Sequence, residues 1–139
     1  MTPAQHWSTR GPGNRNRTLW GGFVVTGASK QIYFAGDTGY WKHFQEIRAR
    51  CGAIDLALLP IGAYEPRWFM CDQHMNPEEA VRAHMDLEPR VSVGTHFGCF
   101  QLTDEGIDDP VTDLQLARQR QGLDPGAFQV LETGETRIF

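Results

Sequence analysis

The stretch Ile32-Tyr33-Phe34-Ala35-Gly36-Asp37-Thr38-Gly39-Tyr40 decides the fold, because it predicts an apolar strand that ends at a carboxylate between two glycines. Gly36 and Gly39 allow the backbone to turn tightly on either side of Asp37. In open α/β sheets, chemistry takes place at the carboxyl ends of the strands. We therefore expect Asp37 to be presented at a sheet edge, where it can act as a metal ligand.

Hydrophobic periodicity along the rest of the chain predicts alternating strands and helices, which is typical of α/β layers. Strands are predicted over residues 19–26, 31–35, 55–61, 91–95, 128–131 and 136–139, and helices over 41–51, 76–87 and 111–121. The run 55–61 is almost entirely apolar, which indicates a strand covered on both faces. Residues 64–74 are aromatic-rich and interrupted by proline, which predicts an irregular segment that lines a pocket.

Composition predicts one soluble globular domain over residues 1–139, since 40% of the residues are hydrophobic and 22% are charged. No apolar run has the length of a membrane span and the N-terminus lacks a signal core, so we expect a cytoplasmic protein. The net charge of -4 and the scattered basic residues argue against a nucleic-acid partner. The three cysteines form no Cys-x-x-Cys pair, so we interpret them as reduced thiols.

Two histidines at predicted strand ends add further candidate metal ligands. His6 lies near the chain start and His96 closes the apolar run 91–95. Imidazole and carboxylate together suit zinc. Each residue also has a structural interpretation: Asp37 forms a turn or caps the following helix, His96 is hydrogen-bonded beneath aromatic packing, and His6 is a structural or surface residue.

His74 belongs to the irregular segment and is a candidate for proton transfer or for donation to an anionic substrate group. Arg67, in the same segment, is a candidate for binding that anionic group. In the structural alternative, Arg67 pairs with Glu65 or Asp72 and the aromatic residues fill the core. The remaining histidines are predicted to be surface or packing residues: His43 and His84.

Several segments, taken in order, closely resemble the N-acylphosphatidylethanolamine-hydrolysing phospholipase D family of the metallo-β-lactamase superfamily. The resemblance is to the C-terminal half of that family and covers almost the whole chain. The segments that carry it are Pro3-Ala4-Gln5-His6-Trp7-Ser8, Leu19-Trp20-Gly21, Gly36-Asp37-Thr38-Gly39-Tyr40, Asp55-Leu56-Ala57, Pro60-Ile61-Gly62-Ala63-Tyr64-Glu65-Pro66-Arg67-Trp68-Phe69-Met70, His74 with Asn76-Pro77-Glu78-Glu79-Ala80, and His96-Phe97-Gly98.

The resemblance implies a two-zinc hydrolase whose fold is an αβ/βα sandwich. At the matching positions, His6 is a ligand of one zinc ion, His96 is a ligand of the other, and Asp37 bridges both and is catalytic. His74 matches a histidine near the phosphate-binding part of the active site, which implies catalytic and substrate-binding roles.

The implied substrate is the phosphodiester of an N-acylphosphatidylethanolamine-type lipid, reached through peripheral contact with a membrane. Tyr64 and Arg67 would then be substrate-binding residues in the pocket wall. Two other interpretations stay open: a metallo-hydrolase of a lactone or a soluble phosphodiester, and a non-catalytic fragment.

One departure from the family pattern concerns activity. The family's first ligand motif, His-x-His-x-Asp-His, is not present in these 139 residues, so we expect an N-terminally truncated domain that carries part of the ligand set. Such a chain would bind zinc weakly and turn over little substrate, since catalytic zinc sites hold three protein ligands. An uncovered apolar sheet face would favour a homodimer or a complementing N-terminal half.

Overall fold

The computed structural model describes all 139 residues and is built on one five-stranded sheet. The strands lie in chain order: β1 Phe23–Thr26, β2 Gln31–Phe34, β3 Leu56–Pro60, β4 Val91–Thr95 and β5 Phe128–Gln129. β1 and β2 form an antiparallel hairpin, whereas β2 to β5 run parallel. The carboxyl ends of β2, β3 and β4 therefore meet at one edge of the sheet.

Four helices connect these strands: α1 His43–Cys51, α2 Arg67–Met70, α3 Pro77–Leu87 and α4 Asp109–Gln121. α3 begins with the predicted signal, because the Asn76 side chain accepts a hydrogen bond from the Glu79 backbone N–H at 2.8 Å. The Glu79 carboxylate in turn accepts from the Asn76 N–H at 3.1 Å, which completes a capping box. None of the four helices combines the length and the hydropathy that crossing a bilayer requires.

The hydrophobic core lies between one face of the sheet and the helices α1, α3 and α4. Tyr33 and Leu59 project from the sheet into this core. Phe44 of α1, Val81 of α3 and Leu114 of α4 pack in the same cluster, and each is at most 1% exposed. The three helices therefore cover a single face.

The opposite face of the sheet is also apolar, but no helix covers it. Strand register places eight hydrophobic residues on this face: Phe23, Val25, Ile32, Phe34, Leu56, Leu58, Val91 and Val93. Phe23, Val25 and Phe34 are 50%, 60% and 43% exposed, whereas Val93 is buried at 5% and the other four are half-buried. We call these eight residues the open sheet face. The mixed five-stranded sheet with flanking helices confirms the predicted α/β fold class.

The structure corrects the sequence prediction at three places. Residues 136–139 form no strand, and Ile138 is fully exposed because no neighbouring strand receives it. Residues 19–22 lie outside β1, and Gly22 makes only an isolated bridge to Thr2. The short helix α2 occupies part of the segment predicted to be irregular.

Candidate metal site

Asp37 and His96 meet at the carboxyl edge of the sheet, as the strand pattern predicts. Asp37 follows β2 and His96 follows β4. The Nε2 atom of His96 lies 3.5 Å from Oδ1 of Asp37, and the two side chains are 26% and 33% exposed. Asp37 does not cap α1, because the N-cap residue of that helix is Lys42.

His6 reaches the same edge, but it does not end a strand as predicted. Gln5 instead forms an isolated bridge with Gly39, whose N–H donates to the Gln5 carbonyl at 2.9 Å. The Nδ1 atom of His6 lies 2.6 Å from the Trp7 carbonyl oxygen. Since a carbonyl only accepts, Nδ1 carries the proton and Nε2 keeps a free lone pair. Metal-binding histidines commonly have this arrangement.

Trp20 is a further site residue that sequence reasoning did not identify. Its indole ring stacks on the His6 ring, with centroids 4.4 Å apart and planes inclined by 18°. Its Nε1–H donates to the backbone carbonyl of Asp37 at 2.8 Å. Trp20 therefore links two candidate ligands, and in the sequence its only signal is membership of a segment similar to the family.

His74 lies between the other two histidines. Its ring centroid is 5.2 Å from that of His6 and 5.2 Å from that of His96. The residue is 8% exposed, and its Nδ1 atom has no hydrogen-bond partner. Burial, together with the neighbouring His96 and His6, lowers the pKa of His74 to about 4. The ring is therefore uncharged at neutral pH.

The backbone at His96 adopts an unusual conformation. Its φ is 60°, in the left-handed region that non-glycine residues seldom occupy. Gly62 approaches closely, since a Cβ added there would lie 2.2 Å from the His96 carbonyl oxygen. Strained residues of this kind cluster at functional sites. The buried Nδ1 of His96 has no partner, so the predicted structural alternative of a hydrogen-bonded core histidine is wrong.

Glu105 joins two loops beside these residues and was not predicted from the sequence. Its carboxylate accepts hydrogen bonds from the backbone N–H groups of Ala63 at 2.7 Å and Glu65 at 3.0 Å. The Thr103 hydroxyl donates to it at 2.7 Å. Burial raises the pKa of Glu105, but these donors outweigh burial and hold the pKa below its usual value. The carboxylate thus fixes the 63–65 segment against the 96–106 loop.

The four candidate residues line one open cavity of about 520 Å³. They are His6, Asp37, His74 and His96, and Trp7 and Phe69 add aromatic walls. No lysine or arginine lines this cavity. The structure therefore brings the predicted metal and catalytic residues together in one space.

Tyr64 and Arg67, the other predicted substrate-binding residues, do not line the cavity. The Tyr64 hydroxyl donates to Asp113 at 2.5 Å. The Arg67 guanidinium pairs with Glu79 at 2.7 Å and donates to the His74 carbonyl at 3.0 Å. Arg67 therefore supports the segment that carries His74, and the carboxylate that it pairs with is neither of the two proposed from the sequence.

The donor set fits a metal site in its chemistry. The imidazole nitrogens of His6 and His96 and the carboxylate of Asp37 are ordinary zinc ligands. The free Nε2 of His6 and the unpartnered buried Nδ1 of His96 leave ring nitrogens available. No three such side chains converge tightly enough to hold one ion.

Comparison of the sequence with known proteins identifies the family of this chain. The model of the beta-lactamase superfamily domain matches residues 1–97. The chain belongs to the beta-lactamase superfamily. The superfamily relative N-acyl-phosphatidylethanolamine-hydrolyzing phospholipase D 1 of Caenorhabditis elegans is 42% identical over 136 residues, which are 96% of this chain and 38% of that protein. This confirms the resemblance seen in the sequence.

Two further proteins are similar to this chain. A UPF0173 metal-dependent hydrolase of Deinococcus radiodurans is 32% identical over 98% of this chain and 52% of its own length. The solved structure of Igni18, a metallo hydrolase of Ignicoccus hospitalis, superimposes with a TM-score of 0.66 and 28% identity over 96% of this chain and 48% of that chain. The chain thus spans between about a third and about half of the relatives that it matches.

Proposed function

We propose that this chain carries one part of the zinc site of a metal-dependent hydrolase that cleaves the phosphodiester of N-acylphosphatidylethanolamine-type lipids. The observation that carries the proposal is the convergence of His6, Asp37, His74 and His96 on one cavity at the carboxyl edge of the sheet. The similarity to the phospholipase D of Caenorhabditis elegans supports the choice of substrate.

His6, Asp37 and His96 would hold the metal. Zinc, when bound, favours deprotonation of water at neutral pH and neutralises charge that develops on a phosphodiester. Trp20 fixes the His6 ring by stacking and holds the Asp37 backbone by its hydrogen bond. The protein's own contribution here is to orient the ligands before substrate arrives.

His74 would act on the substrate. Its ring is neutral at pH 7, so one nitrogen can accept a proton while the other donates a hydrogen bond. The unpartnered Nδ1 of His74 is itself shielded from solvent, which strengthens either interaction. Arg67 and Glu105 would act indirectly, by holding the two loops that wall the cavity.

Exposed aromatic side chains near the cavity fit a lipid substrate. Trp68 and Phe69 of α2 are 84% and 59% exposed, and Phe69 also lines the cavity. Aromatic rings favour the boundary between water and lipid. They would bring the cavity to a membrane surface through peripheral contact. A second copy of the chain, or a complementing half, would cover the open sheet face.

A substrate panel tests the proposal on the purified, zinc-supplemented chain. We expect slow hydrolysis of N-acylphosphatidylethanolamine in mixed micelles, and a loss of at least about a hundredfold in Asp37→Asn because a proposed metal ligand is removed. Asp72→Asn, at an exposed carboxylate outside the cavity, is the matched control and should retain the rate.

Other outcomes of the panel would replace the proposal. Faster cleavage of a soluble phosphodiester or a lactone, still dependent on Asp37, would assign the chain to a hydrolase of small molecules. Absence of hydrolysis on every substrate, together with absence of zinc binding, would favour a non-catalytic fragment. Equal rates in the Asp37→Asn variant and the wild type would remove Asp37 from the mechanism.

A further inference from the structure

Thr38, the residue after Asp37, is fully buried and makes hydrogen bonds to two distant parts of the chain. Its hydroxyl accepts from the Gln5 backbone N–H at 2.8 Å and donates to the Gly39 carbonyl at 2.8 Å. Its own carbonyl oxygen accepts from the Met75 N–H at 3.0 Å. One buried residue thus contacts the segments around positions 5 and 75.

Each of these contacts lies next to a candidate site residue in the sequence. Gln5 precedes His6, Met75 follows His74, and Thr38 itself follows Asp37. The two contacts differ in kind. The contact beside His6 is made by the Thr38 side chain. The contact beside His74 is made by the main chain and survives any substitution at position 38.

We propose that Thr38 is a positioning residue whose hydroxyl holds His6 in place at the candidate metal site. The role in metal binding rests on the proposed function, whereas the geometric role does not. A valine has almost the same shape as threonine but can neither accept from Gln5 nor donate to Gly39. The backbone hydrogen bond between Gly39 and Gln5, at 2.9 Å, would remain as a weaker link between the two segments.

The surroundings of the hydroxyl explain why the position needs it. The Nε2 atom of His43 lies 3.5 Å away, at the limit of a hydrogen bond, and burial lowers the pKa of His43 to about 4. His43 is therefore uncharged at neutral pH. A hydroxyl with both a donor and an acceptor partner suits this buried polar site, whereas valine would leave the Gln5 N–H without its partner.

Nuclear Overhauser contacts in the metal-free chain test the geometric role. In the wild type we expect contacts between the rings of His6 and Trp20, and between those of His74 and His96. Thr38→Val should lose the contacts between His6 and Trp20 and keep those between His74 and His96, because only the position of His6 depends on the hydroxyl. Thr38→Ser, which keeps the hydroxyl, should restore the contacts between His6 and Trp20.

Zinc affinity, measured by competition with a chelator, tests the consequence. Thr38→Val should bind zinc about tenfold or more weakly, as is usual when a group that orients a ligand is removed. Thr38→Ser should stay close to the wild type. Ser92→Ala is the matched control, because it removes another fully buried hydroxyl that bonds His84 in the core, away from the cavity.

The outcomes separate this proposal from the proposed function. Retention of the contacts between His6 and Trp20 in Thr38→Val would overturn the positioning role, as would zinc affinity within twofold of the wild type. If the wild type binds no zinc, the metal assignment fails while the Overhauser contacts still decide the role of Thr38. Should Thr38→Val fail to fold, Thr38→Cys keeps a similar volume with weaker hydrogen bonds and takes its place in both measurements.

Discussion

Replacement of Gly62 by alanine would push directly on the backbone that carries His96. The added Cβ would lie 2.2 Å from the His96 carbonyl oxygen and 3.2 Å from the Phe97 Cα. Carbon and oxygen atoms in contact normally stay about 3.3 Å apart. The backbone segments at Gly62 and His96 must therefore separate by about 1 Å. Because the obstacle is main chain, no side-chain rotation can relieve the overlap.

The expected cost of Gly62→Ala is about 3 kcal/mol of unfolding free energy, at the upper end of overpacking effects. The His96 ring moves with its backbone, so zinc affinity should also fall by about tenfold or more. Urea denaturation, monitored by circular dichroism, measures the change in unfolding free energy. Competition with a chelator measures the change in zinc affinity.

Gly27→Ala is the matched control for this substitution. The nearest atom to a Cβ at Gly27 is the Lys30 carbonyl oxygen at 3.6 Å, which is an ordinary contact. The control should stay within about 1 kcal/mol of the wild type. If Gly62→Ala matched Gly27→Ala in both stability and zinc affinity, the close approach of the two loops would not hold His96 in place.

Three more predictions concern other parts of the molecule. The folded-state pKa of His43, about 4, lies below the value near 6.5 of an unfolded chain, so its contribution to stability is complete above pH 6.5 and is lost as the pH falls towards 4. Urea titrations between pH 7 and 4.5 should show a smaller loss in His43→Phe, and equal slopes would contradict this. Glu105→Gln should lower stability by about 1 to 2 kcal/mol and make the 96–106 loop more sensitive to limited proteolysis, which an unchanged digestion pattern would refute. Phe34→Glu, on the open sheet face, should shift the chain from dimer towards monomer in light scattering, and a wild type that is already monomeric would count against self-association.

Most elements of the fold could be predicted because their signals are local. The capping sequence before α3 and the apolar runs of β3 and β4 predicted these elements to within about a residue at each end. The helix α2 was missed because four residues are too few for a helical period. The strand predicted over 136–139 is wrong because alternation alone cannot supply a neighbouring strand.

The candidate site could be predicted in part for the same reason. Asp37 and His96 follow parallel strands, so the topology brings them together without further information. Trp20, Thr38 and Glu105 were not identified as supporting residues, because their contacts join positions 17 to 42 residues apart. Nothing local in the sequence indicates such pairs.

The partner of Arg67 could not be predicted from its neighbours in the sequence. Its neighbours in sequence include Glu65, which accepts only from the Arg67 backbone N–H. The guanidinium turns instead to Glu79 at the start of α3, twelve residues further on. Packing of α3 against the loop, rather than the order of residues, selects that partner.

Zinc affinity of the purified chain, compared between the wild type and Asp37→Asn, tests the central claim most directly. We expect weak binding by the wild type, because no three candidate ligands converge closely enough to hold one ion, and a further loss of at least about tenfold in the variant. Equal affinity in the two proteins would contradict the claim that Asp37, together with His6 and His96, forms a metal site at this edge of the sheet.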